Sequence, residues 1–313
     1  MANRVRYLLA GLFAVFIAVS PAVAGKIKHV IVVVMENTSA SEIYGNTSEA
    51  PYLNGIVMPI AARSSNFTDT LPLDLPSQPH YIIMEAGKRT FVDQTFSVSD
   101  DPSASYSTGS LFHLTHQMRA TVAPAKVTWK SYQQSINATT GACPIESSYP
   151  YVARHNPFVY FRSISGNPPS KTGAYCAAHH RPYSAFAADL AAGRIAKYVF
   201  ITPDQCHNMH DQCASASRIR AGDDWLASEL PRMIAWANGH SAVILVMWDE
   251  GHGTLKMPFF AVGAGVKKNF VSSVKLTHRS IVKSVEMIFG LSILPAVAND
   301  NSLQSLFAAG AFP

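Results

Sequence analysis

Two apolar runs in this chain end in pairs of oxygen-bearing side chains. Val30-Ile31-Val32-Val33-Val34-Met35 leads into Glu36-Asn37, and Ala242 to Trp248 leads into Asp249-Glu250-Gly251. Each run is short, β-branched and uninterrupted, which is the pattern of a strand buried on both faces of a parallel sheet. Ligands of open α/β sheets bind just outside the carboxyl ends of the strands. Glu36, Asn37, Asp249 and Glu250 should therefore meet there, although they lie far apart in sequence. Three carboxyls on one edge repel each other unless a cation sits between them. The pattern predicts a metal site. The plainer reading makes Asp249-Glu250-Gly251 a polar turn and Glu36-Asn37 the start of a loop.

Ser77 follows the proline-rich loop Leu71 to Pro76 and opens a helix with Pro79 in its first turn. It reads either as a helix N-cap or as a nucleophile whose alkoxide the helix N-terminus would stabilise. Arg154-His155-Asn156 sets a cation beside an imidazole. That pair could grip a phosphate, or it could be idle loop decoration. Thr202 to Asp211 concentrates His and Asp after another strand. There His207 and His210 could ligate a second metal or act as general acid, and Asp204, His210 and His278 could form a second site that suits zinc. Alternatively this is a polar loop tied by a disulfide. His278 in Thr277-His278-Arg279-Ser280 is either a site residue or the neighbour of a capping threonine. His29, His113, His116, His179, His180, His240 and His252 lack such context and read as structural or solvated.

Strands alternate with helices along the chain, which predicts an α/β sandwich. The helices expected nearest the site are Tyr81 to Ala86, ended by Gly87, Asp224 to Trp236, capped by Gly222-Asp223, and Ser280 to Phe289. Residues 1–24 read as a signal peptide, with Arg4 and Arg6, an apolar core from Leu8 to Val19, and Ala22-Val23-Ala24 as the cleavage site. Its rival is a retained anchor. Residues 25–313 then form one domain, with an irregular insertion around 137–182. A secreted or periplasmic protein without a stable membrane anchor is expected. The net charge is +5, and charged residues make up only 14 % of the sequence with no basic block, which argues against nucleic acid. No obligate protein partner is evident. The four cysteines predict two disulfides in an oxidising compartment. The short loop favours Cys206–Cys213, with Cys143–Cys176 closing the insertion. The rival is a zinc site that adds His207 and His210.

The ordered set "HVIVVVMENTS", "LPSQPHY", "RHNPFVYF", "NMHD", "GDDWL", "VMWDEG" and "THRS" resembles the bacterial and fungal phosphoesterase family of acid phosphatases and phospholipases C. That family is a branch of the alkaline phosphatase superfamily. The resemblance runs from about His29 to the last helix. It implies an alkaline-phosphatase-like sandwich with a mostly parallel central sheet flanked by helices. It also implies metal ligands at Glu36, Asn37, Ser77, Asp249 and Glu250, a nucleophile at Ser77, and functional motifs at His155-Asn156 and His210-Asp211. The two-zinc enzymes of the superfamily carry Asp-His where this chain carries Asp249-Glu250. An all-oxygen set prefers Ca²⁺, Mg²⁺ or Mn²⁺, with Zn²⁺ possible. The expected protein is an exported, metal-dependent phosphoric ester hydrolase of the acid phosphatase type. Ser77 forms a phosphoserine, His210 serves as general acid, and Arg154, His155, Asn156 and His278 bind substrate. The alternatives are a phospholipase C acting on phospholipid head groups, with Phe158, Tyr160 and Phe161 as an apolar lip, and a calcium-stabilised binding protein without activity.

Overall fold

The computed structural model describes residues 27–136 and 142–313. The expected signal peptide and the start of the insertion at Asn137 lie outside the described residues. Among the described residues one sheet holds β1 (His29–Met35), β2 (Ala62–Ser64), β3 (Trp129–Gln133), β4 (His180–Pro182), β5 (Tyr198–Thr202), β6 (Ala242–Trp248), β7 (Phe259–Gly263) and β8 (Phe270–Ser272). The spatial order is β4-β3-β5-β1-β6-β7-β2-β8. Every pairing is parallel except those of β7, which runs against β6 and β2. The α/β class and the mostly parallel sheet are therefore as expected.

The two strands that carry the acid pairs are neighbours. Their register sets Met35 opposite Trp248, so both strands end at the same level. Asp249 N donates to Met35 O at 3.0 Å and extends the ladder one residue past the strands. Val30 to Met35 and all of β6 are buried. A parallel strand covered on both faces needs apolar side chains at both alternate positions, which is why these runs show no polar alternation.

Three helices border this edge. Ser77–Ala86 is buried along its whole length and ends at Gly87, whose φ of 68° is the left-handed conformation that closes many helices. It packs on the helix His278–Phe289 and on the 3₁₀ turns Ala153–His155 and Pro157–Tyr160. The third helix departs from expectation. It spans Arg218–His240, not Asp224 to Trp236, and its cap is Ser217, whose side chain accepts from Arg220 N. Gly222 and Asp223 lie inside it. The Asp223 carboxylate instead accepts from Tyr52 N and Leu53 N at 2.9 Å each. Gly222 is needed for close approach: a Cβ there would lie 2.3 Å from Met209 Cγ. The helix His278–Phe289 likewise begins two residues earlier than expected, behind Thr277.

The insertion is more regular than its composition suggests. After the 3₁₀ turns come the short helices Arg162–Ser165 and Ala174–His179, then the edge strand β4. Both expected disulfides are present, Cys143–Cys176 and Cys206–Cys213. They consume every cysteine, which removes the Cys/His zinc alternative. Among the described residues no helix is long and apolar enough to cross a membrane.

Gly222→Ala should cost about 1–3 kcal/mol, the usual penalty for an inserted methyl group in a packed interior. Chemical denaturation of the two proteins measures it. An unchanged midpoint would mean that Met209 moves aside freely.

Candidate active site

Ser77, His80 and Tyr81 lie three and four residues apart on one helix, so they share a face. That face meets the acids at the ends of β1 and β6. Ser77 is the first residue of its helix, and Pro76 holds the N-cap position with no side chain capping the terminus. Ser77 is therefore not a cap. Its Oγ is placed to donate to Glu36 Oε2 at 3.1 Å and to Glu250 Oε1 at 3.2 Å. Tyr81 donates its hydroxyl to Glu36 Oε1 at 2.7 Å. His155 Nε2 lies 3.1 Å from the same oxygen, and the His155 ring stacks on Tyr81. His80 bridges two acids, with Nδ1 3.1 Å from Asp69 and Nε2 3.9 Å from Glu250. Asn37 adopts a positive φ of 27°, and its N–H donates to Asp249 Oδ1 at 3.0 Å.

The acids at this edge cannot all carry charge. Burial pushes the Asp249 carboxyl well up, and the charges of Glu36 and Glu250 push it further. Burial also raises Glu36, against the pull of His210 and the Tyr81 hydrogen bond. Glu250 is pushed up to about 7, first by burial and then by Glu36, with His80 opposing. Burial pulls the His80 imidazolium down, but Asp69, Glu250 and Glu36 together carry it above the usual histidine range. His155 is held well below that range by burial and by the charges of Arg154 and His210, so it stays neutral.

Over the acids opens a cleft of about 420 Å³, with Asn37, Ser77, Arg154, His210 and Glu250 in its wall. Among the described residues Arg154 has no carboxylate within ion-pair distance, so its guanidinium is free to meet an anion. His210 Nδ1 contacts Asp211 Oδ1 at 2.6 Å, which fixes the ring. Asn37 Oδ1 and Asp249 Oδ2 are buried oxygens without a hydrogen-bond partner. Unpaired buried acceptors are costly, and a hard cation takes such oxygens. Among the described residues no three His, Cys, Asp or Glu side chains converge as a preformed cage. The donors available are mixed: carboxylates, one amide oxygen and one hydroxyl.

The profile of the Phosphoesterase family matches residues 73–292, most of the chain. The chain belongs to the Phosphoesterase family. Its activity is therefore hydrolysis of phosphoric ester bonds. It is 26 % identical to a phosphatidylinositol-3-phosphatase of Mycobacterium tuberculosis, over 84 % of this chain and 77 % of that protein. It is 24 % identical to a phosphate-repressible acid phosphatase of Penicillium chrysogenum, over 75 % of this chain but only 54 % of the relative's length. Among solved structures it resembles an alkaline phosphatase superfamily protein from Vibrio parahaemolyticus. The TM-score is 0.53 at 9 % identity, covering 87 % of this chain and 69 % of the other. The fold is that of the superfamily.

Some expected site residues lie elsewhere. Asn156 is fully buried and outside the cleft lining, bonded to the Tyr151 hydroxyl and His180 Nε2. His278 is also buried. Its Nε2 lies 2.9 Å from Trp248 O, which places it behind the site and outside the cleft lining. His155 is close to the acids and 2 % exposed, and the contact it makes there is with Glu36. Asp204 is taken by His207 and Ser135, so Asp204, His210 and His278 form no second metal group. Phe158, Tyr160 and Phe161 are buried core and form no lip.

The sequence reading missed Asp69, His80, Tyr81 and Arg218. The signal for His80 and Tyr81 was their helical spacing from Ser77. Arg218 had no local signal. It donates to Asn37 O, Thr38 Oγ1 and Met209 O and pairs with Glu42, which ties the loop after β1 to the loop that carries His210.

Tyr81→Phe removes one hydrogen bond to a buried carboxylate. Such bonds are worth about 1.5 kcal/mol or more, so kcat/KM should fall about tenfold while the fold is kept. Steady-state kinetics with circular dichroism measures this. Unchanged kinetics would show that Glu36 needs no such support.

Proposed function

We propose that this chain is an exported, metal-dependent phosphomonoesterase that works through a phosphoserine at Ser77. The observation that carries the reading is the position of Ser77 Oγ, at an uncapped helix start and between Glu36 and Glu250. A structural calcium protein would leave that hydroxyl as a cap, and it is not one.

The donor set fits a hard divalent cation. Glu36, Asn37, Ser77, Asp249 and Glu250 would hold it, all through oxygen, and the orphaned Asn37 and Asp249 oxygens support this assignment. Bound there, Ca²⁺, Mg²⁺ or Mn²⁺ would polarise the serine hydroxyl and neutralise phosphate charge. The Ser77 proton passes to the flanking carboxylates as Oγ bonds to phosphorus. Arg154 and the free N–H groups at the helix start hold the phosphoryl oxygens. His210, fixed by Asp211, gives a proton to the leaving oxygen as its bond to phosphorus breaks. Water then attacks phosphorus and gives a proton to His210, the Oγ–P bond breaks, and Ser77 regains its proton from the carboxylates.

Both curated relatives are phosphatases, which favours phosphomonoesters over the diesters of a phospholipase C. The cleft of about 420 Å³ suits a small ester. The two disulfides support a secreted or periplasmic location.

Ser77→Ala should lower turnover of a chromogenic phosphomonoester by several orders of magnitude, on the order of 10⁴ or more, while phosphate still binds. Acid quench of the wild type should trap phosphate on Ser77, detected by peptide mass spectrometry. Near-native turnover of Ser77→Ala would end the nucleophile reading.

Chelation should abolish activity, and Ca²⁺, Mg²⁺ or Mn²⁺ should restore it. Restoration by Zn²⁺ alone, with two tightly held zinc ions per chain, would reverse the metal assignment.

A further inference from the structure

The amino-terminal edge of the sheet carries a second cavity, of about 490 Å³. It lies where β3 and β5 begin, since its wall includes Thr128, Trp129 and the Ile195-Ala196 lead into β5. The two strands run parallel to each other and to β1, so this edge is opposite the Ser77 cleft. A five-residue strand spans about 17 Å, so the two cavities share no wall.

Its charge is one-sided. Arg119, Lys126, Lys130 and Arg194 line it, and no acid does. Among the described residues, Arg119, Lys126 and Lys130 have no carboxylate within ion-pair distance. The nearby Asp189 is already shared by Arg181, Arg194 and the Tyr132 hydroxyl. Burial and the charge of Arg181 hold the Lys130 amine below the usual lysine range, with Asp189 opposing. His179 is held low by burial, and the charges of Lys130, Arg119 and Lys126 add to this, so all three cations crowd one ring.

The cavity is also built. Trp129 is buried and stacks on His179 with ring centroids 4.4 Å apart. The Arg119 guanidinium lies over the Tyr175 ring at 4.1 Å and donates to Ser163 O at 3.0 Å. Lys126 donates one proton to Thr121 O at 3.1 Å and keeps its others for a ligand. These contacts orient Arg119 and Lys126 before any anion arrives, and pre-ordering lowers the cost of binding.

We propose that this cavity is a second anion site, which takes a phosphate-bearing small group: free inorganic phosphate or the phosphorylated head group of a lipid. Clustered cations without acids gain from a multiply charged oxyanion through charge-assisted hydrogen bonds. The volume accommodates a phosphate with an organic substituent. The proposal does not depend on the chemistry at Ser77.

The test compares the full chain with Lys126→Gln/Lys130→Gln. The Ser77 cleft contributes equally to both proteins, so the difference reports the second cavity. Calorimetry with inorganic phosphate should give one site fewer for the double variant than for the wild type, with turnover unchanged within about twofold. In the second arm, flotation uses phosphatidylcholine vesicles with and without phosphatidylglycerol, in chelated buffer. Binding that requires phosphatidylglycerol and weakens about tenfold or more in the variant assigns the site to a lipid head group. Lys126→Glu, a change at an exposed position, repeats both arms if the double variant folds poorly. Phosphate stoichiometry and vesicle binding that both ignore these lysines overturn the proposal.

Discussion

Like-charge crowding at the ends of β1 and β6 governs this structure. Glu36, Asp249 and Glu250 are buried together, and one serine hydroxyl bridges two of them. Two full charges about 4 Å apart repel by about 4 kcal/mol at an effective dielectric of 20. That exceeds the ~1 kcal/mol of a helix cap or an ordinary hydrogen bond. Acids do not gather in this way for stability. They are forced together because the β1–β6 register is set by the apolar runs behind them, and only protons or a cation can relieve the result. The raised carboxyls are the electrostatic record of that conflict.

The surroundings serve to hold the conflict in place. Tyr81 and His155 both address Glu36 Oε1, and His80 stands between Asp69 and Glu250. Arg218 reaches from the long helix to the loop after β1 and to Met209. Gly222 lets that helix approach Met209 closely enough for Arg218 to do so. Gly251 has a similar role, since a Cβ there would fall 2.1 Å from Thr254 O and push apart the loop after Asp249-Glu250. Glycine in "GDD" and "DEG" thus answers to packing against site loops and not to helix or turn propensity.

What the sequence made legible was what strand geometry determines. Period and length marked β1 and β6 as buried strands, and the edge rule brought Glu36, Asn37, Asp249 and Glu250 together. Four cysteines allow three pairings; loop length favoured the one the structure holds, without excluding the others. What it hid depended on tertiary direction. Asn156 and His155 are adjacent in sequence, yet one faces Tyr151 and His180 while the other faces Glu36. No local pattern separates them. Phe158, Tyr160 and Phe161 looked free because their segment is rich in turn formers, but the segment folds onto Trp129, Phe200 and Phe96. The start of the long helix was misplaced because Gly222 reads as a breaker, and only contact with Met209 explains a glycine there.

The acidic edge also sets a requirement on substrate binding. A phosphate monoester brings negative charge to a pocket that already holds three carboxyl groups. Against them stand Arg154 and the N–H groups at an uncapped helix start. A helix terminus supplies roughly half a positive charge. With the Arg154 charge that makes about one and a half positive charges, set against three carboxyl groups. In the proposed reaction a bound cation would therefore favour entry of the ester as well as activate Ser77. In that reaction Glu36 and Asp249, which lie beneath the cleft, would hold the metal together with Glu250, and Arg154 and His210 in the cleft wall would meet the substrate.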